Sequence, residues 1–212
     1  MLLTAVRDKF DLIVSYSLPE FWNFNQINDE LYQKMIVLLE NRIYFYVIPK
    51  EWISVKSGFI EIISELLDLE IIDVFQDNSS ATQKNLIGRV CEVRTSSIYL
   101  ADLLNQIKEK LSGLQLRYLG DLNSPIQKIL ITLEPLTTGL LKQAKRANID
   151  TIICADYNFE IEKAAEELNL NLTAVTLNII NLGLLKLTQA LRLEHSNIDF
   201  EFINLQSLSN IF

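Results

Sequence analysis

The chain alternates between two hydrophobic rhythms. Short apolar or period-two runs predict strands at 11–15, 42–48, 88–94, 114–120, 127–133, 150–155, 170–176 and 198–205. Between them, apolar residues recur at three- and four-residue spacing. Leu100, Leu103, Leu104, Ile107 and Leu111 form one stripe. Phe59, Ile60, Ile63, Leu66 and Leu67 form a second, and Ile161, Ala164, Ala165 and Leu168 a third. Each predicts an amphipathic helix with its apolar side on a core. Strands alternating with helices predict an α/β fold with a mixed, largely parallel sheet.

The pattern also repeats. "AVRDKFDLIVSYS" and "QAKRANIDTIICAD" each run from a helix end through a basic residue and Asp into an apolar strand. Each is followed by a helix, a strand, a glycine and an amphipathic helix. The simplest account is two related α/β halves. The polar, aperiodic 76–85 stretch marks the break between them. This gives a first half over 1–80, then 81–212 holding an inserted strand–helix–strand segment and the second half.

Composition narrows the function. The 212 residues are 49% hydrophobic and 22% charged, enough for a sizeable core. The net charge is −8 and no run of Lys or Arg exists, which argues against a nucleic-acid partner. No apolar run reaches the ~20 residues of a membrane span, and Arg7 and Asp8 fall too early for a secretory leader. Cys91 and Cys154 sit singly in apolar runs, the pattern of reduced core thiols rather than a metal or redox motif. These features predict a cytoplasmic protein.

Several segments, in order, resemble those of the Nif-three-like dinuclear-metal-centre family, also labelled GTP cyclohydrolase 1 type 2 homologue. "IGRVCEV" (87–93) is similar to that family's G-x-G-R-x-G-x segment. "FDLIVSYSLPEF" resembles its "aDlIitHHPlif", and "ENRIYFYVIPKEWIS" its strand ending in H-T-N-x-D. "ANIDTIICADYNFEIEKAAEELNLNLTAVTLNIINLGLLKL" resembles its late block with T-G-E and G-H-x-x-x-E. The resemblance implies the Nif-three-like fold, two bound divalent metal ions and a homo-oligomer, in that family typically a ring-shaped hexamer.

The departures are chemical. The family's metals are held by the His-His pair, the Asp of H-T-N-x-D, and the His and Glu of the late block. Here those positions carry Tyr16 and Ser17, Ser54, and Thr176 and Ile180. Paired divalent ions need anionic and imidazole donors. Neutral hydroxyls are poor substitutes, and isoleucine has no donor atom. The only histidine is His195, beyond the last amphipathic helix. The acid of T-G-E falls on Asp156, and of a Gly-Ser-Gly segment only Gly139 survives.

The resemblance, less its metal ligands, predicts a metal-free, non-catalytic, oligomeric scaffold or interaction protein without cofactor. The alternative is a hydrolase of a nucleotide-like or phosphorylated small molecule, with a metal-dependent site rebuilt around Glu51, Asp156 and the loop hydroxyls. Ser15 and Ser17 have no base beside them in sequence to make a nucleophile. Tyr16, Phe21, Trp22 and Trp52 fall where metal loops would be and are read as filling that space. The family carries a further strand and helix before the first strand, where this chain has only "MLLTAVRDK". Such a missing edge strand predicts cover from a neighbouring subunit. Tyr44, Phe45 and Tyr46, with Arg42, are read as a core or subunit-contact strand rather than a base-stacking platform.

Overall fold

The computed structural model describes residues 2–16, 28–53, 55–56, 58–77, 85–94, 98–111, 116–175 and 179–204. The chain divides into two compact units, Met1–Lys50 with Glu201–Phe212, and Glu51–Phe200.

The first unit holds α1 (Leu2–Arg7), β1 (Leu12–Ser15), α2 (Asp29–Glu40) and β2 (Tyr44–Val47). β1 and β2 pair in parallel, Leu12 beside Tyr44 and Val14 beside Tyr46. The strand alternation turns Ile13 to one face, where it packs with Ala5, Leu38 and Ile43.

The second unit opens with a 3-10 turn, Lys50–Ile53, whose first residue ends the first unit. It continues with α3 (Phe59–Leu66), β3 (Leu69–Asp77), β4 (Asn85–Val93), β5 (Ile98–Tyr99), α4 (Leu100–Lys110), β6 (Arg117–Leu119), β7 (Pro125–Ile126) and β8 (Lys128–Ile131). The remaining elements are α5 (Thr138–Arg146), β9 (Thr151–Cys154), α6 (Phe159–Glu167), β10 (Asn171–Ala174) and α7 (Ile179–Glu194). Six strands form one sheet in the order β3-β4-β8-β9-β10-β6. Leu130, Ile152, Cys154, Leu172 and Ala174 of the sheet pack with Leu140, Leu141 and Ala144 of α5 and with Ile161 and Ala165 of α6. Each fully buried aliphatic side chain of this kind contributes about 1.5–3 kcal/mol.

The expected largely parallel sheet is not what forms. Within the six-stranded sheet, β8/β9 and β9/β10 run parallel, while β3/β4, β4/β8 and β10/β6 are antiparallel. The sheet is mixed and mostly antiparallel. The missing piece was β3. "LEIIDVFQ" continues the apolar run of α3 and reads as its tail. Two register shifts, between Ile71 and Asp73 and between Phe75 and Gln76, break its period-two pattern. β1, β2, β6, β8, β9 and β10 fall inside their predicted ranges, β4 begins at Asn85, ahead of its expected start at 88, and the short β5 and β7 were not expected. Residues 198–204 form no strand, and 205 lies outside the described residues, as does most of the expected 76–85 loop.

The repeated order is present in hydrogen bonds as well as letters. α1 ends with Lys9 at φ 59° and Phe10 N donating to Ala5 O (2.9 Å), and α5 with Asn148 at φ 56° and Ile149 N to Ala144 O (3.1 Å). α2 ends with Arg42 at φ 56° and Ile43 N to Leu38 O (2.9 Å), and α6 with Asn169 at φ 50° and Leu170 N to Ala165 O (3.0 Å). These are left-handed helix terminations, each redirecting the chain into a strand. Tyr44 N donates to Asp11 O and Asn171 N to Asp150 O. Ile48 N donates to Ser15 O and Val175 N to Cys154 O. Asn28 and Asn158 cap α2 and α6 by accepting from Leu31 N (2.8 Å) and Ile161 N (3.0 Å).

Candidate functional site

In open α/β sheets, ligands sit beyond the carboxyl ends of the parallel strands. The residues after β1, β9 and β10 are therefore the first place to look. After β1, Tyr16 is half-buried in the first unit, and Ser17 lies outside the described residues. Ser54 and Thr176 also lie outside them, as do Phe21 and Trp22. Ile180 belongs to the second unit, buried at 6% exposure in the first turn of α7. It lies one turn before Gly183, on the same side of the helix. A Cβ on Gly183 would stand 2.0 Å from Phe59 Cδ2, so glycine is what lets α7 approach α3 this closely. Trp52 adds a tilted ring contact to Phe59, centroids 6.0 Å apart. Ile180, expected from the resemblance at the glutamate-ligand position, is a buried aliphatic side chain one turn from a tight helix contact.

Asp156 follows β9 and is engaged elsewhere. Its Oδ1 accepts from Tyr157 N (2.8 Å) and lies 3.0 Å from the Arg117 guanidinium. Arg117 also donates to the Tyr157 carbonyl and stacks 3.9 Å from that ring's centroid. Burial pushes the Tyr157 phenol upward, and the guanidinium over its ring opposes the shift. Glu51 lies exposed in the 3-10 turn. His195 is exposed just past α7, its N–H continuing the helix to Leu191 O (2.9 Å).

Among the described residues, no group of three or more His, Cys, Asp or Glu side chains is placed to hold a metal ion. The residue types explain this, because one histidine in the whole chain cannot rebuild an imidazole-rich pair of sites. Two bound metals do not fit the residues present. The thiols offer nothing instead. Cys91 and Cys154 are free and buried, and burial pushes both up to about 12, far from a reactive thiolate.

Sequence reasoning passed over Arg117 and the Arg89–Glu61 pair. Arg89, 8% exposed in its side chain, reaches Glu61 at 3.3 Å, and its Nε is buried without a hydrogen-bond partner among the described residues. The available signal was a lone arginine inside an apolar strand, which needs an acidic partner when buried.

A cavity of about 470 Å³ opens at the opposite, amino-terminal ends of β9 and β10. Asp121, Asp150, Glu166, Asn169 and Asn171 line it, with Gly120 and Leu170. Among the described residues that line it there is no Lys or Arg to meet a phosphate. Asp150 Oδ2 is already used, accepting from Gln127 N (3.0 Å) and Lys128 N (2.8 Å).

Comparison with known proteins agrees with this architecture. The family described as Duf34/NIF3 (NGG1p interacting factor 3) matches residues 1–208. A "GTP cyclohydrolase 1 type 2 homolog" of Clostridium perfringens is 32% identical over 140 residues, 66% of this chain and 52% of that protein. A protein of the same description from Clostridium acetobutylicum is 25% identical over 168 residues, 78% of this chain and 62% of the relative. The matches thus span less than two thirds of either relative. The crystal structure of a Bacillus cereus protein related to NIF3 superposes with a TM-score of 0.79 at 12% identity, covering 100% of this chain and 85% of the other. The chain belongs to the Duf34/NIF3 family, and carries the fold without a described metal-binding cluster.

Proposed function

We propose that this chain is a metal-free, non-catalytic member of its family that works as an oligomeric scaffold or interaction protein. One observation carries the reading. The five positions matching the family's metal ligands hold Tyr16, Ser17, Ser54, Thr176 and Ile180, none of them an anionic or imidazole donor at neutral pH. Ile180, buried at 6% exposure, supports it because its side chain has no donor atom to offer a metal. Asp156, the best acid for a rebuilt hydrolase site, already has the Arg117 guanidinium 3.0 Å away.

The test is elemental analysis of protein purified without chelator, with Fe, Zn and Mn measured per chain. The expected content is far below stoichiometric. Stoichiometric metal that survives dialysis, accompanied by nucleotide hydrolysis lost in a Glu51→Ala/Asp156→Ala double variant, overturns the reading in favour of the hydrolase. Light scattering during gel filtration tests the oligomeric part, with a mass above one chain expected.

A further inference from the structure

The cavity at the amino-terminal ends of β9 and β10 gathers acceptors from four separate elements. Asp121 comes from the turn after β6, Asp150 from the approach to β9, and Glu166 from the last turn of α6, while Asn171 opens β10. Among the described residues, each is fixed through one atom and leaves one oxygen unbonded. Asp150 Oδ2 is taken by two backbone N–H groups, which leaves Oδ1. Asp121 Oδ1 accepts from Asn123 N (3.0 Å) and Nδ2 (3.4 Å), which leaves Oδ2. Glu166 Oε2 accepts from Lys163 (2.9 Å), which leaves Oε1. Asn171 Nδ2 donates to Oγ1 of the fully buried Thr151 (3.3 Å), which leaves its Oδ1. That oxygen occupies the space a side chain at position 120 would need. Gly120 has φ 131°, and a Cβ on it would lie 2.2 Å from Asn171 Oδ1. Acceptors held in place beforehand reduce the ordering that binding must supply.

The class of ligand follows from what this lining excludes and from its shape. An anion would meet three carboxylates with no Lys or Arg beside them in the lining. A metal ion needs its donors gathered around one point, and the described acids form no such group of three. The carboxylates stand instead around a volume of about 470 Å³, within the usual range of small-molecule sites. Only a cation whose charges are spread along its length can reach more than one of them. Leu119, Pro125 and Leu170 supply apolar wall, which suits a hydrocarbon spacer between those charges. We infer that the cavity binds a linear aliphatic polyamine. Its ammonium groups bond the free oxygens of Asp150, Asp121 and Glu166, and its methylenes lie on the three apolar residues. Ammonium-to-carboxylate bonds of this kind are roughly twice as strong as neutral ones. Lys163, on Glu166, and Lys145, on the Asn169 carbonyl (3.2 Å), stand outside the lining and compete only at that end. The site uses none of the five family ligand positions, so it stands or falls apart from the metal-free reading.

Equilibrium dialysis of the full chain against labelled spermidine, at about 0.15 M salt to screen diffuse attraction, tests the inference. Binding is expected to saturate at one spermidine per chain. An Asp121→Asn/Glu166→Gln double variant, isosteric at two exposed positions, should bind at least about tenfold more weakly. Magnesium chloride should displace no more spermidine than sodium chloride of the same ionic strength. Uptake that never saturates, or that magnesium removes selectively, overturns the site in favour of general attraction to a chain of net charge −8. Equal binding by a folded variant overturns it too. Should the variant lose its circular dichroism, hydrogen exchange on wild type decides. Exchange at 119–121 and 169–171 that slows with spermidine supports the site, and exchange that does not removes it.

Discussion

The helix–strand–helix–strand unit of residues 2–47 and that of 138–174 share their turns almost bond for bond, yet their strands live in different surroundings. β9 has a strand on either side, β8 and β10, and all four of its residues are buried. β1 has one described neighbour, β2, and only Ile13 is buried. The local instructions are therefore equal in the two units: an asparagine cap, two left-handed terminations and an aspartate before the strand. What differs is the face turned to the rest of the world. Local chemistry builds the unit, and burial decides how much stability each side chain then gives.

The largest expected effect sets a titrating residue of one unit against its silent counterpart in the other. Cys154 matches Ser15. Its thiol is held up to about 12 in the fold against 9.0 when free. A raised value stabilises fully below the free value and is lost as pH climbs from about 9 towards 12, roughly 4 kcal/mol in all. Urea midpoints should therefore fall steeply above about pH 9, and Cys154→Ala should flatten that slope even though it lowers stability at neutral pH. An unchanged slope would break the contrast, unless Cys91, which carries the same shift, supplies it all; Cys91→Ala tests that directly. Next, Ile153→Ala should cost about 3 kcal/mol and Val14→Ala well under about 1 kcal/mol in dilute protein. Equal costs would mean that Val14 is covered after all.

Two smaller effects should be shared. Asn28→Ala and Asn158→Ala remove the same bond from the same place, and each should cost about 1 kcal/mol by chemical denaturation. Replacing the left-handed residues with glycine should stabilise slightly, about 0.5–1 kcal/mol. Lys9→Gly and Arg42→Gly should gain more than Asn148→Gly and Asn169→Gly, because asparagine already tolerates that conformation. Melting temperatures ranked the other way would refute the matching of the turns.

Much of this was legible in the sequence, for definite reasons. Leu100, Leu103, Leu104 and Ile107 fall on one helical face and are all buried, because spacing alone dictates which side they share. The strand "TIIC" carries no charge and shows no polar alternation because both its faces are covered. Strand direction was not legible, since an apolar period is the same read parallel or antiparallel. β3 stayed hidden because its first residues extend a helical apolar run and its bulges spoil the alternation. At the candidate site, the expectation that Tyr16 and Ile180 stand at ligand positions came from the family resemblance and not from local spacing. The engagement of Asp156 by Arg117 joins residues 39 positions apart, a pairing that no local spacing encodes.

The two sheets also differ along their rims. β3, an outer strand of the six-stranded sheet, carries Glu70 and Asp73 and is bent twice by its register shifts. Charges and bends of this kind stop a stranger's backbone from zipping on. The "LIVS" of β1 has neither charge, proline nor bend. When the protein is heated or concentrated past its working range, that short unfenced rim is where precipitation should be seeded. A purification that keeps the chain dilute and cool protects four residues more than it protects the other two hundred.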